Sequence, residues 1–302
     1  ILISSAKTKL GRVLEVVYKI FITDVVIFCS FSRIILLGIK IAKIFRKKTF
    51  YLMHGYATYE SIINKSNTSI KIQQKVNLIE RYIFSNVNKV FCVSKKFMYF
   101  MREVEPDYKD KFDYIFIGLD VAEIIENANK YKTNKRSNLI ISLGGGMRQK
   151  NNLIVCKAID KLIKEKNIDL KYIIIGLPYT DKEEICSYNF VTYYDSLPHN
   201  EVIKLLSECY LYIQNSSFET FGMTIIEAII TNCHILISKN VGAIDVIDNL
   251  ETFNVINNTE DVNEIAMKID YLLNNNNKSV SLNYKILDNK AAASLLRIKL
   301  NN

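Results

Sequence analysis

The chain has 302 residues, 49% hydrophobic and 24% charged, with a formal net charge of +9. That length and apolar content suit two globular domains with their own cores and exclude a disordered chain. The six cysteines stand apart with no CxxC pair, mostly inside apolar runs, which argues against a disulfide framework or a zinc ribbon and fits reduced thiols in a cytosolic protein. His54, His199 and His234 have no local spacing suited to a metal.

The charge is unevenly placed. Residues 1–120 hold 20 Lys+Arg and 10 Asp+Glu, and residues 121–302 hold 20 and 21, so the net is +10 in the first part and −1 in the second. A basic N-terminal part points to an anionic partner, a nucleic acid or a membrane, and charge alone does not choose between them.

In chain order, residues 1–20 lack the charged, apolar and small-residue order of a signal peptide. VVIFCSF (25–31), TFYLMH (49–54), KVFCVS (89–94) and DYIFIG (113–118) are short runs of the kind that buried parallel strands show, separated by helix-like segments at 34–46 and 71–86. RIILLGIKIAKIFRKK (33–48) is broken by Lys40 and Lys43 and is too interrupted to span a membrane. It reads as a crossover helix with one apolar face. The cluster Lys40, Lys43, Arg46, Lys47 and Lys48 gives it a competing reading as a basic surface for anionic lipid.

The pattern then restarts. EIIENANKYKTNKRSN (123–138) is polar and charged, as a linker between residues 1–122 and a second domain at 139–275 would be. LIISLG (139–144), KYIIIG (171–176), FVTYYD (190–195), LYIQNS (211–216) and HILISK (234–239) are strand-like, alternating with helices near 151–166, 199–207, 222–231 and 260–273. Asn274–Asn277 reads as a surface turn before a helical C-terminal segment, 276–302.

One stretch carries chemistry. FETFGMTIIEAI (218–229) follows a strand and opens a helix, the place where α/β folds bind ligands. Gly222 lets a ligand approach the backbone, and the free N–H groups of Met223 and Thr224 with the helix dipole favour a phosphate. Glu219 would reach hydroxyls of a bound group and Glu227 a pair of vicinal hydroxyls, which together suggest a nucleotide sugar. The plainer reading makes Glu219 a solvated loop acid and Glu227 a complement to the dipole.

These residues resemble the E-x7-E motif, Glu219 to Glu227 with Phe221-Gly222 between, of retaining glycosyltransferases of the GT-B fold, family GT4. SLGGGMRQKNNLIVCKAI, IIIGLP, VTYYDSLPHNEVIKLLSECYLYIQNSS and HILISKNVGAIDVI are similar to further family segments over 139–250, and DVVIFCS, MHGY, VFCVSKKF and IFIGLD to its N-terminal domain. The resemblance implies two Rossmann-like α/β domains facing a cleft, the first abbreviated, since the family's glycine-rich loop is not found upstream of Asp24. It implies transfer of a sugar from a nucleotide-sugar donor, with retention and without a metal or other cofactor, to a glycan or lipid-linked acceptor. Lys150 then neutralises the donor diphosphate, Gly144, Gly145 and Gly146 let the loop approach it, and Arg148 stands in for a family arginine whose position is Gly145. Glu219 holds the sugar, and His54 falls near the family histidine at the donor. The expected setting is cytoplasmic, peripheral at the inner face of the cell membrane, in cell-surface glycan synthesis. Readings kept beside this one are a same-fold epimerase, a non-catalytic nucleotide-sugar-binding or partner subunit, and a nucleic-acid-binding protein, the last weakened because no recognised nucleic-acid module is present.

Overall fold

The computed structural model describes residues 8–64, 70–131, 135–275 and 280–301, and the chain divides into two compact units, Ile1–Ile115 and Phe116–Asn302. The first unit runs α1 (Lys9–Ile22), β1 (Val25–Phe28), α2 (Arg33–Ile44), β2 (Lys48–Met53), α3 (Ala57–Ile63), α4 (Ile70–Asn86), β3 (Lys89–Cys92), α5 (Lys95–Val104) and β4 (Phe112–Tyr114). Its four strands form a parallel sheet in the order β1-β2-β3-β4. The sheet is apolar on both faces where it is covered: Phe50, Tyr51, Met53, Val90, Phe91 and Cys92 are all buried, and Phe50 stacks on Phe91. Helix starts follow local chemistry, with Thr8 Oγ1 accepting from Gly11 N at the start of α1 and Ser94 Oγ from Phe97 N at α5.

The second unit continues with α6 (Val121–Lys130), β5 (Arg136–Leu143), α7 (Asn152–Lys166), β6 (Lys171–Ile175), α8 (Lys182–Cys186), β7 (Val191–Tyr194), α9 (His199–Glu208), β8 (Cys209–Gln214), α10 (Met223–Ile230), β9 (His234–Ser238), β10 (Ile247–Asp248), β11 (Val255–Ile256), α11 (Val262–Asn274), β12 (Ser281–Leu282), α12 (Tyr284–Leu287) and α13 (Asn289–Asn301). Its parallel sheet has the order β11-β9-β8-β5-β6-β7, beside a short antiparallel β10–β12 pair. The chain winds outward from β5 through β6 to β7, then returns to the other side of β5 and winds through β8, β9 and β11. The reversal falls between β5 and β8, the switch point at which doubly wound sheets open a crevice at the carboxyl ends of their strands. One face is sealed by α7 and α11, whose Val155, Ile159, Leu162, Ile265, Ile269 and Leu272 pack on Ile140, Tyr172, Leu211 and Leu236.

All nine strands read from apolar runs are present, most shortened at their ends. The division falls earlier than residue 122, because Leu119 N donates to Leu287 O (2.9 Å) and Leu119 bridges to Asp288, tying 116–119 to the second unit. The stretch 123–138 is no linker: it holds most of α6, capped by Asp120 and packed on α9 and α10, and the start of β5, while 132–134 lie outside the described residues. Polar composition there reflects the solvent side of an amphipathic helix. Of the expected turn at Asn274–Asn277, Asn274 closes α11, and residues 276 and 277 lie outside the described residues. Among the described residues no helix is long and apolar enough to cross a membrane.

Candidate active site

The loop after β5 is built by glycines that nothing larger could replace. Gly144 and Gly145 have φ of +108° and +58°, and a Cβ on Gly144 would stand 2.4 Å from Lys150 Cγ, so the missing side chain is what lets Lys150 fold back over the loop. Gly145 lies against the next glycine turn: a Cβ there would come within 2.4 Å of Leu177 O and 2.5 Å of Tyr193 Oη. Tyr193 Oη accepts from Gly146 N (2.9 Å) and donates to Leu177 O (2.9 Å), and Asn152 Nδ2 donates to Gly145 O (2.8 Å). The loop is thereby fixed from two sides.

The loop after β8 faces it across the switch point. Gln149 Nε2 donates to Phe218 O (2.7 Å) and Ser217 N to Gln149 O (2.9 Å), which ties the two loops together. At their junction Lys150 Nζ forms an ion pair with Glu219 Oε2, the same oxygen that accepts from Gln214 Nε2 at 2.7 Å. Gln214 Oε1 in turn accepts from the phenol of Tyr212 at 2.7 Å. Burial, then the nearby carboxylates of Glu219 and Glu227, hold the Tyr212 phenol well above its usual range, so it remains a neutral donor. Sequence separation hid this chain: Gln214 and Tyr212 read only as strand residues, and Lys150 and Glu219 are 69 positions apart.

Gly222, at φ +101°, turns the chain into α10. Ile225, Ile226, Ala228 and Ile229 bury the helix, and Glu227 is buried among them, 9% exposed. Its Oε1 lies 2.8 Å from Nε2 of His199, the first residue of α9. This histidine was read only as unsuited to a metal, because its partner lies 28 positions away. Met223 is exposed, and Thr224 bonds the Tyr212 phenol through its side chain. Phe221, which the resemblance to the E-x7-E motif implies lies at the donor, is 2% exposed, and its carbonyl accepts from Ala243 N (2.7 Å); its side chain belongs to the core and anchors the loop.

Arg148 turns away from Lys150 towards the loop after β6, with Nε 3.2 Å from Thr180 Oγ1 and 3.6 Å from Asp181 Oδ1. His54 directly follows β2 in the first unit, solvent-accessible yet held below the usual histidine range by partial desolvation. A cavity of about 220 Å³ lined by Tyr131, Lys135, Ser207, Thr231 and Asn232 lies at the amino ends of β5 and β9, opposite the loops just described. Among the described residues no group of three or more His, Cys, Asp or Glu comes together to hold a metal.

The arrangement offers one cation, two acids and a helix start beside the glycine loop at the switch point, a set suited to an anionic group bearing hydroxyls. Residues 123–287 match the model of the family described as Glycosyl transferases group 1. Over the whole fold the chain is similar to the UDP-forming trehalose-phosphate synthase of Burkholderia xenovorans in complex with glucose-6-phosphate (TM-score 0.68, 9% identity, 100% of this chain and 80% of that one). It is similar also to the sucrose-phosphate synthase of Thermosynechococcus elongatus (0.62, 15%, 99% and 80%) and to a glycosyltransferase of Rickettsia africae (0.54, 18%, 99% and 80%). At such identities these likenesses speak for the fold, two Rossmann-like α/β units of GT-B type, and no curated protein sequence matches the chain. The family model spans more than half of the chain, including both glycine loops and the E-x7-E stretch, and on that ground the chain belongs to the group 1 glycosyl transferases.

Proposed function

We propose that this glycosyl transferase moves a sugar from a nucleotide-sugar donor with retention of configuration, as the GT4 enzymes it resembles do. The observation that carries the reading is the Lys150–Glu219 pair at the junction of the two loops, beside the N-terminal end of α10. A diphosphate entering there draws the ammonium away from Glu219. Lys150 then offsets the charge that grows on the leaving group, together with the N–H groups of the first turn of α10, and Glu219, released, accepts from hydroxyls of the donor sugar. The acceptor proton passes to the departing phosphate on the same face, so neither a protein base nor a metal is part of the proposed step. A neighbour named as UDP-forming supports a nucleotide-diphosphate leaving group. Arg148 joins only if it leaves Asp181.

For the acceptor we favour a lipid-linked or polysaccharide chain in cell-surface glycan synthesis, with the protein resting on the anionic cytoplasmic leaflet. What supports it is the first unit. Helix α2 contains no acidic residue, and Lys40, Lys43, Ile44, Phe45 and Arg46 are exposed at its carboxyl end, a basic and apolar combination that suits an anionic bilayer surface.

The test is Lys150→Ala, assayed by mass-resolved transfer from a panel of nucleotide sugars. Turnover should fall about 100-fold, as for loss of one donor to a developing anion, while the variant keeps its fold. Unchanged turnover would remove Lys150 from the reaction, and a strict need for added divalent ion would refute the metal-independent step.

A further inference from the structure

Glu227 has one oxygen that the fold binds and one that it leaves open. It is the single charged residue of α10, surrounded by isoleucines and 9% exposed, and a carboxylate in that setting must be satisfied on both oxygens or cost stability. Only Oε1 is satisfied, by His199 Nε2 at 2.8 Å. Among the described residues no protein donor reaches Oε2, and since it is not one of the buried unpartnered atoms it is left open to solvent. Water can therefore hold Oε2, and a ligand hydroxyl can take the place of that water.

His199 is unlike its partner, with a side chain 64% exposed against 11% for Glu227. An ion pair so open to water adds little to stability. Its geometry is nevertheless fixed: Pro198, with φ −57° and ψ 145°, sets the entry to α9, and Val202, Ile203 and Leu206 bury the helix that carries the histidine. An ionised carboxylate only accepts, so Nε2 carries the proton that bonds Glu227, and Nδ1 is the nitrogen left towards solvent. The pair thus presents three aligned features at the amino end of α9: a held carboxylate, its unused oxygen and an exposed imidazole edge.

Resting on the nucleotide-sugar reading of this site, we propose that His199 is a positioning residue for the nucleoside half of the donor. By donating to Oε1 it fixes the Glu227 carboxylate and reserves Oε2 for the vicinal hydroxyls of the ribose. The histidine acts through Glu227, and the ligand class it serves is a ribonucleoside diphosphate rather than the sugar being moved.

The experiment is calorimetric binding of uridine, adenosine and guanosine 5′-diphosphates and their 2′,3′-dideoxy counterparts to wild type, His199→Ala, His199→Gln, Glu227→Ala and the His199→Ala/Glu227→Ala double variant. A hydrogen bond to a charged group corresponds to roughly 10- to 100-fold in affinity, so His199→Ala should weaken the best ribonucleotide about tenfold. His199→Gln, whose amide can donate to the same oxygen, should restore most of it. The dideoxy counterpart should bind wild type and His199→Ala alike, and His199→Ala should add nothing to Glu227→Ala. Two results overturn the inference alone: Glu227→Ala weakens binding while His199→Ala stays within twofold of wild type, or His199→Ala weakens ribo and dideoxy forms equally. If wild type binds no nucleoside diphosphate, the nucleotide-sugar reading falls and this role falls with it.

Discussion

Each unit holds a glutamate that accepts two successive backbone N–H groups, and the two meet opposite fates. In the first unit Glu80 of α4, 2% exposed, accepts from Ala57 N (2.9 Å) and Thr58 N (3.1 Å) at the start of α3, and from the Thr58 hydroxyl. Burial pushes it up to about 7, further than the three hydrogen bonds can hold it down, and Glu60 nearby adds to the rise. In the second unit Glu264 of α11 accepts from Asn257 N and Asn258 N, each at 2.8 Å, and also pairs with Lys268 at 2.9 Å. Burial works against it too, yet the two N–H groups and Lys268 bring it down to about 2. Amide donors alone do not keep a carboxylate ionised in a dry setting. Glu264, only half-buried, loses far less to desolvation, so the same pair of N–H groups, helped by a lysine one helical turn away, keeps it ionised.

The sharpest way to break this contrast is Lys268→Met, which leaves Glu264 without its cation. Lys268 is 3% exposed and also donates to Thr252 O and Val255 O, so the loss should be about 3 to 5 kcal/mol, read from denaturant unfolding of the second unit by hydrogen exchange of its core peptides. Its acid limit should also move upward, towards the behaviour of Glu80. A cost under about 1 kcal/mol would show that the lysine is incidental.

A smaller effect separates the units by pH. The folded pKa of Glu80 is raised from 4.5 to about 7, so its stabilising contribution is full below 4.5 and is lost as pH rises through about 7. The loss is about 3 kcal/mol as an upper figure. Glu264 is lowered from 4.5 to about 2, so its contribution is present above 4.5 and lost as pH falls towards 2. Exchange protection at Ala57 and Thr58, corrected for intrinsic rates, should therefore decline from pH 5 to 7 while that at Asn257 and Asn258 holds. Carbon-detected titration of Glu80 near its ordinary value would contradict the contrast.

The smallest effect tests the other difference between the units, surface charge. Arg46→Gln should weaken attachment to anionic vesicles at low salt by about 1 kcal/mol, several-fold in partition, while Lys164→Gln in the second unit should leave it unchanged. A wild-type protein that ignores such vesicles would end the membrane reading.

What could be read from the sequence follows from how far each signal reaches. Buried parallel strands declare themselves as continuous apolar runs, so KYIIIG and HILISK located β6 and β9 without any tertiary knowledge. The turn into α10 was legible because glycine, strand end and acid lie within a dozen residues. Partners were not legible. Nothing local tells His199 from a solvated histidine or Glu80 from any acid on a polar helix face, since their roles come from elements brought together by the sheet order. Helix α6 was hidden for the opposite reason: its charged face outweighed its apolar one in a composition-based reading.

The close approach of the two glycine turns constrains how this site could be rebuilt. A Cβ on Gly176 would stand 2.4 Å from Gly145 N, and one on Gly145 would strike Leu177 O at the same distance, so neither position can take a side chain while the other turn stays in place. Placing an arginine at position 145 would therefore wedge the β5 and β6 loops apart before it ever met a phosphate. The two turns must be redesigned as one unit, together with Tyr193. An engineer seeking a second cation has an easier route through Asp181→Asn, which frees the arginine already present three residues further on.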